Sequence, residues 1–173
     1  MSKARGVTVG VVLNVNDPEA QGRIQVNLTM LEGRATTYWA PVATFMAGKN
    51  RGAWFMPEIG DEVLVAFLND NVEQPYILGF TWNGQDTPPS MNQRERMFRS
   101  LNGHTIRFLD STPGSAGAGA ITIEDANGNV ITMSNGKIHL KAAAQLEIEA
   151  ATISFVGPNQ SWRRVVSPNS NPI

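Results

Sequence analysis

Several sets of residues have the types that chemistry needs. Gly60-Asp61-Glu62 puts two carboxylates side by side, the pairing used in general acid–base catalysis. They sit where a turn enters the apolar run Glu62 to Leu68, with no candidate partner, so a structural turn is preferred to a catalytic pair. The only histidines, His104 and His139, are far apart, and His139 alternates with Lys137 and Lys141, which predicts a solvated polar face. Ser, His and Asp all occur, but no nucleophile-elbow context joins them. Cysteine is absent, which removes disulfides and thiolate metal sites. The expectation is a non-enzymatic protein with no catalytic, cofactor or metal residues.

The remaining sets combine aromatic and basic residues. Tyr38, Trp39, Phe45, Trp54 and Phe55 with Lys49 and Arg51 carry the stacking rings and cations of a single-stranded nucleic-acid platform. A formal net charge of −1 gives no matching electrostatic footprint, so core and subunit contacts are the preferred reading. The tail Ser161-Trp162-Arg163-Arg164-Val165-Val166 places Trp162, Arg163 and Arg164 as a contact for an apex or cap.

The elements that must position these residues are strands. Charged residues make up only 17% of the 173, below the usual ~25%. Val7, Val9, Val11, Leu13 and Val15 recur with period two, as do Ile24, Val26, Leu28 and Met30; both runs predict half-buried strands. Tyr38–Phe45 is a third strand, interrupted by Pro41 and so an edge or bulge. Glu62–Leu68 reads as a strand covered on both faces, and Tyr76–Trp82 closes a small β domain. No run nears the ~18 apolar residues of a membrane helix, and no apolar leader follows Met1, so synthesis in the cytosol without a signal peptide is expected.

Asn83–Arg99 is polar and holds Pro88-Pro89, which predicts a linker or surface loop. A hairpin-like pair follows at Thr105–Leu109 and Ala120–Glu124. Apolar pairs two residues apart then recur: Ile121/Ile123, Ile131/Met133, Ile138/Leu140, Leu146/Ile148 and Ile153/Phe155. From Ile131 onward they start seven or eight residues apart, the mark of a stacked β architecture. Gly136–Phe155 is helical by composition. At ~100° per residue its large apolar side chains scatter around a helix, whereas every even position from Ile138 to Ala150 is apolar. Strand is the better reading, with the phase shifting between Ala150 and Ile153. Such a ribbon has open edges and one apolar face, and three chains wrapped into a β-prism or triple-stranded β-helix would bury it.

Tyr38–Pro89 resembles the OB-fold domain of the central spike of contractile injection machines: the Vgr proteins of type VI secretion and the baseplate spikes (the gpV type) of contractile-tailed phages. The likeness rests on Trp39-Ala40-Pro41-Val42, Gly48-Lys49, Pro57 to Phe67, Gln74 to Gly79 and Trp82-Asn83-Gly84, and extends over about residues 7 to 155. It marks Trp39, Pro57, Gly60, Asp61, Glu62, Val63, Val65, Phe67, Pro75, Gly79, Trp82 and Asn83 as structural family positions. It implies an all-β chain: tail 1–6, OB-fold β-barrel 7–84, linker 85–102, trimeric β-helical needle 103–156 and tip 157–173. The ten repeat residues would point to a trimer axis.

The implied function is a cell-puncturing homotrimeric spike at the centre of a virion tail or injection-particle baseplate, made in the bacterial cytoplasm. It would link a separate hub at the OB end to a tip. Some phage spikes hold a tip metal through His-x-His; neither histidine here has such a partner, so no metal is expected. A PAAR-like tip-capping protein is expected in its place, with no nucleic acid and only transient contact with the target envelope. The alternative is an OB-fold nucleic-acid-binding module with an oligomerising β tail.

Overall fold

The computed structural model describes residues 6–28, 37–161 and 163–166. Met30, Trp162 and all of the tail 1–6 except Gly6 lie outside the described residues. Among those described there is no α-helix; strands are joined by turns and by two short 3-10 turns at Leu68–Asp70 and Pro158–Gln160. The chain divides into two compact units, residues 1–89 and 90–173.

In the first unit, β1 (Val7–Asn14), β2 (Arg23–Leu28), β3 (Thr37–Pro41), β6 (Glu62–Phe67) and β7 (Pro75–Phe80) form one antiparallel sheet in the order β3-β2-β1-β6-β7. A parallel bridge from Val42 to Ile77 and an Ala43 N–H to Ile77 carbonyl bond of 2.8 Å join its edges. The sheet thus closes into an OB-like barrel without open edges. A two-residue-per-strand hairpin, β4 (Ala47–Gly48) and β5 (Arg51–Gly52), projects between β3 and β6.

The core consists of Val12, Ile24, Val26, Leu28, Ala40, Val63, Val65, Val72 and Ile77. Alternation predicts the inward face of β2, whereas in β1 the expected phase is reversed. There Thr8, Gly10 and Val12 point inward, and Val7, Val9 and Leu13 point out. Space decides the phase. A Cβ on Gly10 would lie 3.2 Å from the Asn27 carbonyl and 3.3 Å from a Val65 methyl, tighter than nearly all real contacts. Glu62–Leu68 is covered on one face only: Val63 and Val65 are buried while Leu64, Ala66 and Phe67 are half-buried.

The second unit is an antiparallel meander in the order β12-β11-β10-β9-β8. Its strands are β8 (Glu95–Arg99), β9 (Thr105–Asp110), β10 (Gly119–Glu124), β11 (Val130–Ser134) and β12 (Lys137–Lys141). The stretch 85–102, expected to be linker, therefore contains a strand: Glu95–Arg99 pairs with Thr105–Leu109 at the sheet edge, where Arg96 and Arg99 are exposed while Glu95 is largely covered and pairs with Arg107. A separate hairpin pairs β13 (Ile153–Val156) with β14 (Arg163–Val166).

The continuous strand expected from Ile138 to Ala150 ends at Lys141, and residues 142–152 join no ladder. The alternation is present there, but a strand also needs a neighbour to accept its hydrogen bonds, and β12 is the last strand of its sheet.

Candidate functional site

The apolar repeat residues gather on one face of the second unit. Cross-strand register aligns Ile106 of β9, Ile123, Ile131 and Leu140 in one row, with Phe98 of β8 at its end. Phe108, Ile121, Met133 and Ile138 form a second row beside it. Direct cross-strand pairs of this kind are the unit of sheet stabilisation. The opposite face carries Arg107, Thr122, Thr132 and His139 in one row.

None of this apolar face is buried within the chain. Ile131 is 40% exposed, Leu140 51% and Ile138 68%. Every buried large apolar residue among those described lies between Val12 and Ile77, in the first unit. Among the described residues, the second unit has a hydrophobic sheet face and no buried apolar core beneath it. Single exposed apolar residues need no explanation, but a contiguous face of this size marks an interaction surface. Sequence reading found Ile121, Ile123, Ile131, Met133, Ile138 and Leu140 but left out Phe98, Ile106 and Phe108; the alternation Ile106-Arg107-Phe108 was the signal for two of them.

The other expected inward residues stand apart from those rows. Leu146 (59% exposed) and Ile148 (55%) lie in the unladdered stretch. Ile153 is half-buried and Phe155 exposed in the separate hairpin, with Phe155 opposite Arg164. Arg163 donates to Ser154 Oγ at 3.2 Å.

The family positions of the first unit serve the fold. Gly60 adopts φ +101°, a conformation that suits glycine, and its N–H bonds the Val12 carbonyl. Asp61 Oδ2 accepts the Glu58 N–H at 2.9 Å and Glu62 accepts the Thr81 hydroxyl, so Asp61 pins a turn and Glu62 ties the start of β6 to the end of β7. Asn83 Oδ1 accepts the N–H groups of Gln85 and Asp86, each at 2.8 Å. Pro57, Val63, Val65 and Pro75 are buried, Trp39, Phe67 and Gly79 are half-buried, and Trp82 is exposed.

Asp61, Glu62 and Asp86 share a cleft of about 470 Å3 with Phe80 and Trp82, which sequence spacing did not reveal. His104 Nδ1 accepts the Ala126 N–H at 3.3 Å. Among the described residues no three His, Asp or Glu side chains converge on a metal position.

One ion pair braces the turn between β1 and β2. Asp17 accepts from the Arg23 guanidinium at 2.7 and 3.1 Å and from the N–H groups of Glu19, Gln21 and Arg23. Arg23 also reaches Glu19 at 3.3 Å and lies 5.9 Å from the Trp39 ring centroid. The Arg23 hydrogen bond foremost, then these backbone donors, hold the Asp17 carboxyl well below the ordinary carboxylate range. Folded-state depression means the stabilisation is complete above the unfolded carboxylate pKa of ~3.9 and is lost as pH falls below it. Asp17→Asn therefore lowers the melting temperature at pH 7, and its gap from the parent narrows below about pH 4; an equal gap at every pH contradicts the pairing.

Residues 8–82 match the family described as Type VI secretion system/phage-baseplate injector OB domain. The chain is 31% identical over 96 residues to the Type VI secretion system spike protein VgrG5 of Pseudomonas aeruginosa, covering 54% of this chain and 11% of that protein. It is 29% identical over 128 residues to VgrG1b of the same organism, covering 71% of this chain and 16% of that one. To the spike protein of Escherichia phage P2 it is 19% identical over 147 residues, covering 85% and 66%. The chain thus spans only a small part of the length of those two type VI relatives.

Proposed function

We infer that this chain, whose residues 8–82 carry the injector OB domain of type VI secretion systems and phage baseplates, is a structural spike protein that works as three copies. The barrel forms a collar at the baseplate end, facing a separate hub protein, and residues 103–156 form the needle. The C-terminal segment meets a tip-capping protein. On sheath contraction the needle transmits force to the target envelope and performs no chemistry.

The observation that supports this reading is the apolar face of the second unit, Phe98–Ile106–Ile123–Ile131–Leu140 and its neighbouring row, which no other part of that unit buries. Three identical faces turned to one axis would bury one another. They would also bring a neighbouring chain to residues 142–152, whose alternation has no ladder in a single copy. The product is a rod without free edges, and a rod that must pierce needs stiffness along its length.

The test is electron microscopy of contractile particles from the producing strain, with the chain labelled by antibody. Label is expected at the centre of the baseplate, and particles lacking the chain should lose spike density there. Label along the sheath, or a normal spike without the chain, contradicts the reading.

A further inference from the structure

We propose that the β4–β5 hairpin of one chain docks into the Trp82 cleft of a second copy, linking the barrels hairpin to cleft around the axis. The proposal rests on the three-copy reading above and assigns it a contact. Two surfaces of the first unit motivate it, each incomplete alone and opposite in character.

The cleft carries Asp61, Glu62 and Asp86 with no cation among its lining residues, and none of the three carboxylates takes part in an ion pair among the described residues. Phe80 and Trp82 form its apolar part and are 46% and 69% exposed. Its volume falls in the range of roughly 300–1,000 Å3 typical of sites that enclose a ligand. Carboxylates beside an open indole form a receptor for a cationic side chain, through ion pairing and cation–π attraction.

The hairpin supplies that chemistry. Residues 43–56, ATFMAGKNRGAWFM, contain Lys49 and Arg51 and no carboxylate, and neither cation is ion-paired among the described residues. Phe45 is 84% exposed and Trp54 72%. The hairpin is held in shape: the Ala53 N–H bonds the Met46 carbonyl at 3.0 Å, and Thr44 Oγ1 bonds the Ala53 carbonyl at 3.0 Å. At Gly52, φ +154°, a Cβ would lie 2.7 Å from the Met46 carbonyl oxygen. A rigid, preformed element loses little entropy on docking.

Within one chain the two surfaces do not meet. No residue of 43–56 lines the cleft. The Trp54 ring instead covers Gly22, where an ideal Cβ would come within 2.9 Å of it, at the start of β2, whereas the cleft opens at the ends of β6 and β7. A cationic hairpin that does not line the acidic cleft of its own chain would complement that of a second copy in a head-to-tail contact, the kind that closes into a ring. Exposed aromatic residues and Arg are the types enriched at such interfaces.

Carbodiimide coupling tests this, because it condenses an amine and a touching carboxylate to an amide with loss of water. Two variants are co-expressed, Lys49→Arg in one and Asp61→Asn/Glu62→Gln/Asp86→Asn in the other. Neither alone can form the link, and the mixture can form it only between chains. A peptide joining Lys49 to Asp61, Glu62 or Asp86, found in the mixture and in neither variant alone, is the expected result. A three-chain mass by light scattering without that peptide overturns the proposal and leaves the spike reading standing. A single-chain mass removes both.

Discussion

Ile131→Asp abolishes assembly: the variant scatters light as a single chain while its barrel stays folded. Ile131 sits inside the longer apolar row, opposite Ile123 on one side and Leu140 on the other. In a single copy it is 40% exposed, so a carboxylate there remains hydrated and the isolated chain tolerates it. In three copies sharing an axis, three carboxylates would leave water together with no cation beside them. An uncompensated buried charge costs several kcal/mol, and three mutually repelling ones exceed what the rest of the face returns. Barrel integrity is read separately, because its buried apolar core lies between Val12 and Ile77. A variant that still assembles with an unchanged melting temperature would show that this face is not the joint.

The second large effect lies in the barrel. Ile77→Ala destabilises the first unit by about 2–5 kcal/mol, the usual range for truncating a buried isoleucine. That is a large part of the roughly 5–15 kcal/mol that holds a domain together. Ile77 is fully buried, and its backbone takes both the Val42 bridge and the Ala43 hydrogen bond that close the barrel. The cavity would therefore open at the seam, where neighbouring strands have least freedom to collapse into it. Urea unfolding followed by tryptophan fluorescence should show a lower midpoint at similar slope. A loss below about 1 kcal/mol, outside the range for such truncations, would contradict the seam's role.

Much of the fold was legible because burial leaves a period. The inward residues of β2 follow alternation directly, and the rows through Ile121, Ile123, Ile131 and Met133 are an alternation repeated by hairpins; the continuously apolar run of β6 shows no period, and only Val63 and Val65 of it are buried. Where the sequence misled, a force other than hydrophobicity had set the outcome. In β1 Val7 and Val9 point outward while Thr8, Gly10 and Val12 point in, and at Gly10 the approach of Asn27 and Val65 leaves space for a glycine alone. From Leu146 to Ala150 the pattern of a strand is present, but a ladder depends on a neighbour and not on the segment itself. Asp61 and Asn83 accept N–H groups of their own turns and Glu62 accepts a hydroxyl from across the sheet, partners that residue type and spacing alone do not specify. The cleft that Asp61 and Glu62 share with Trp82 could not be read, because Trp82 and Asp86 join them only through the pairing of β6 with β7. The Asp17–Arg23 brace was hidden in the same way, since a turn that carries Asp17 and Glu19 gives no hint of which cation they will hold.

The central claim is that the apolar face of the second unit is covered by copies of the same chain. Size-exclusion chromatography with multi-angle light scattering on the purified protein at micromolar concentration measures this directly. A single species of three times the 18.8 kDa chain mass, unchanged on dilution, is expected. A monodisperse species at the mass of one chain, stable and with that face open to solvent, would contradict it.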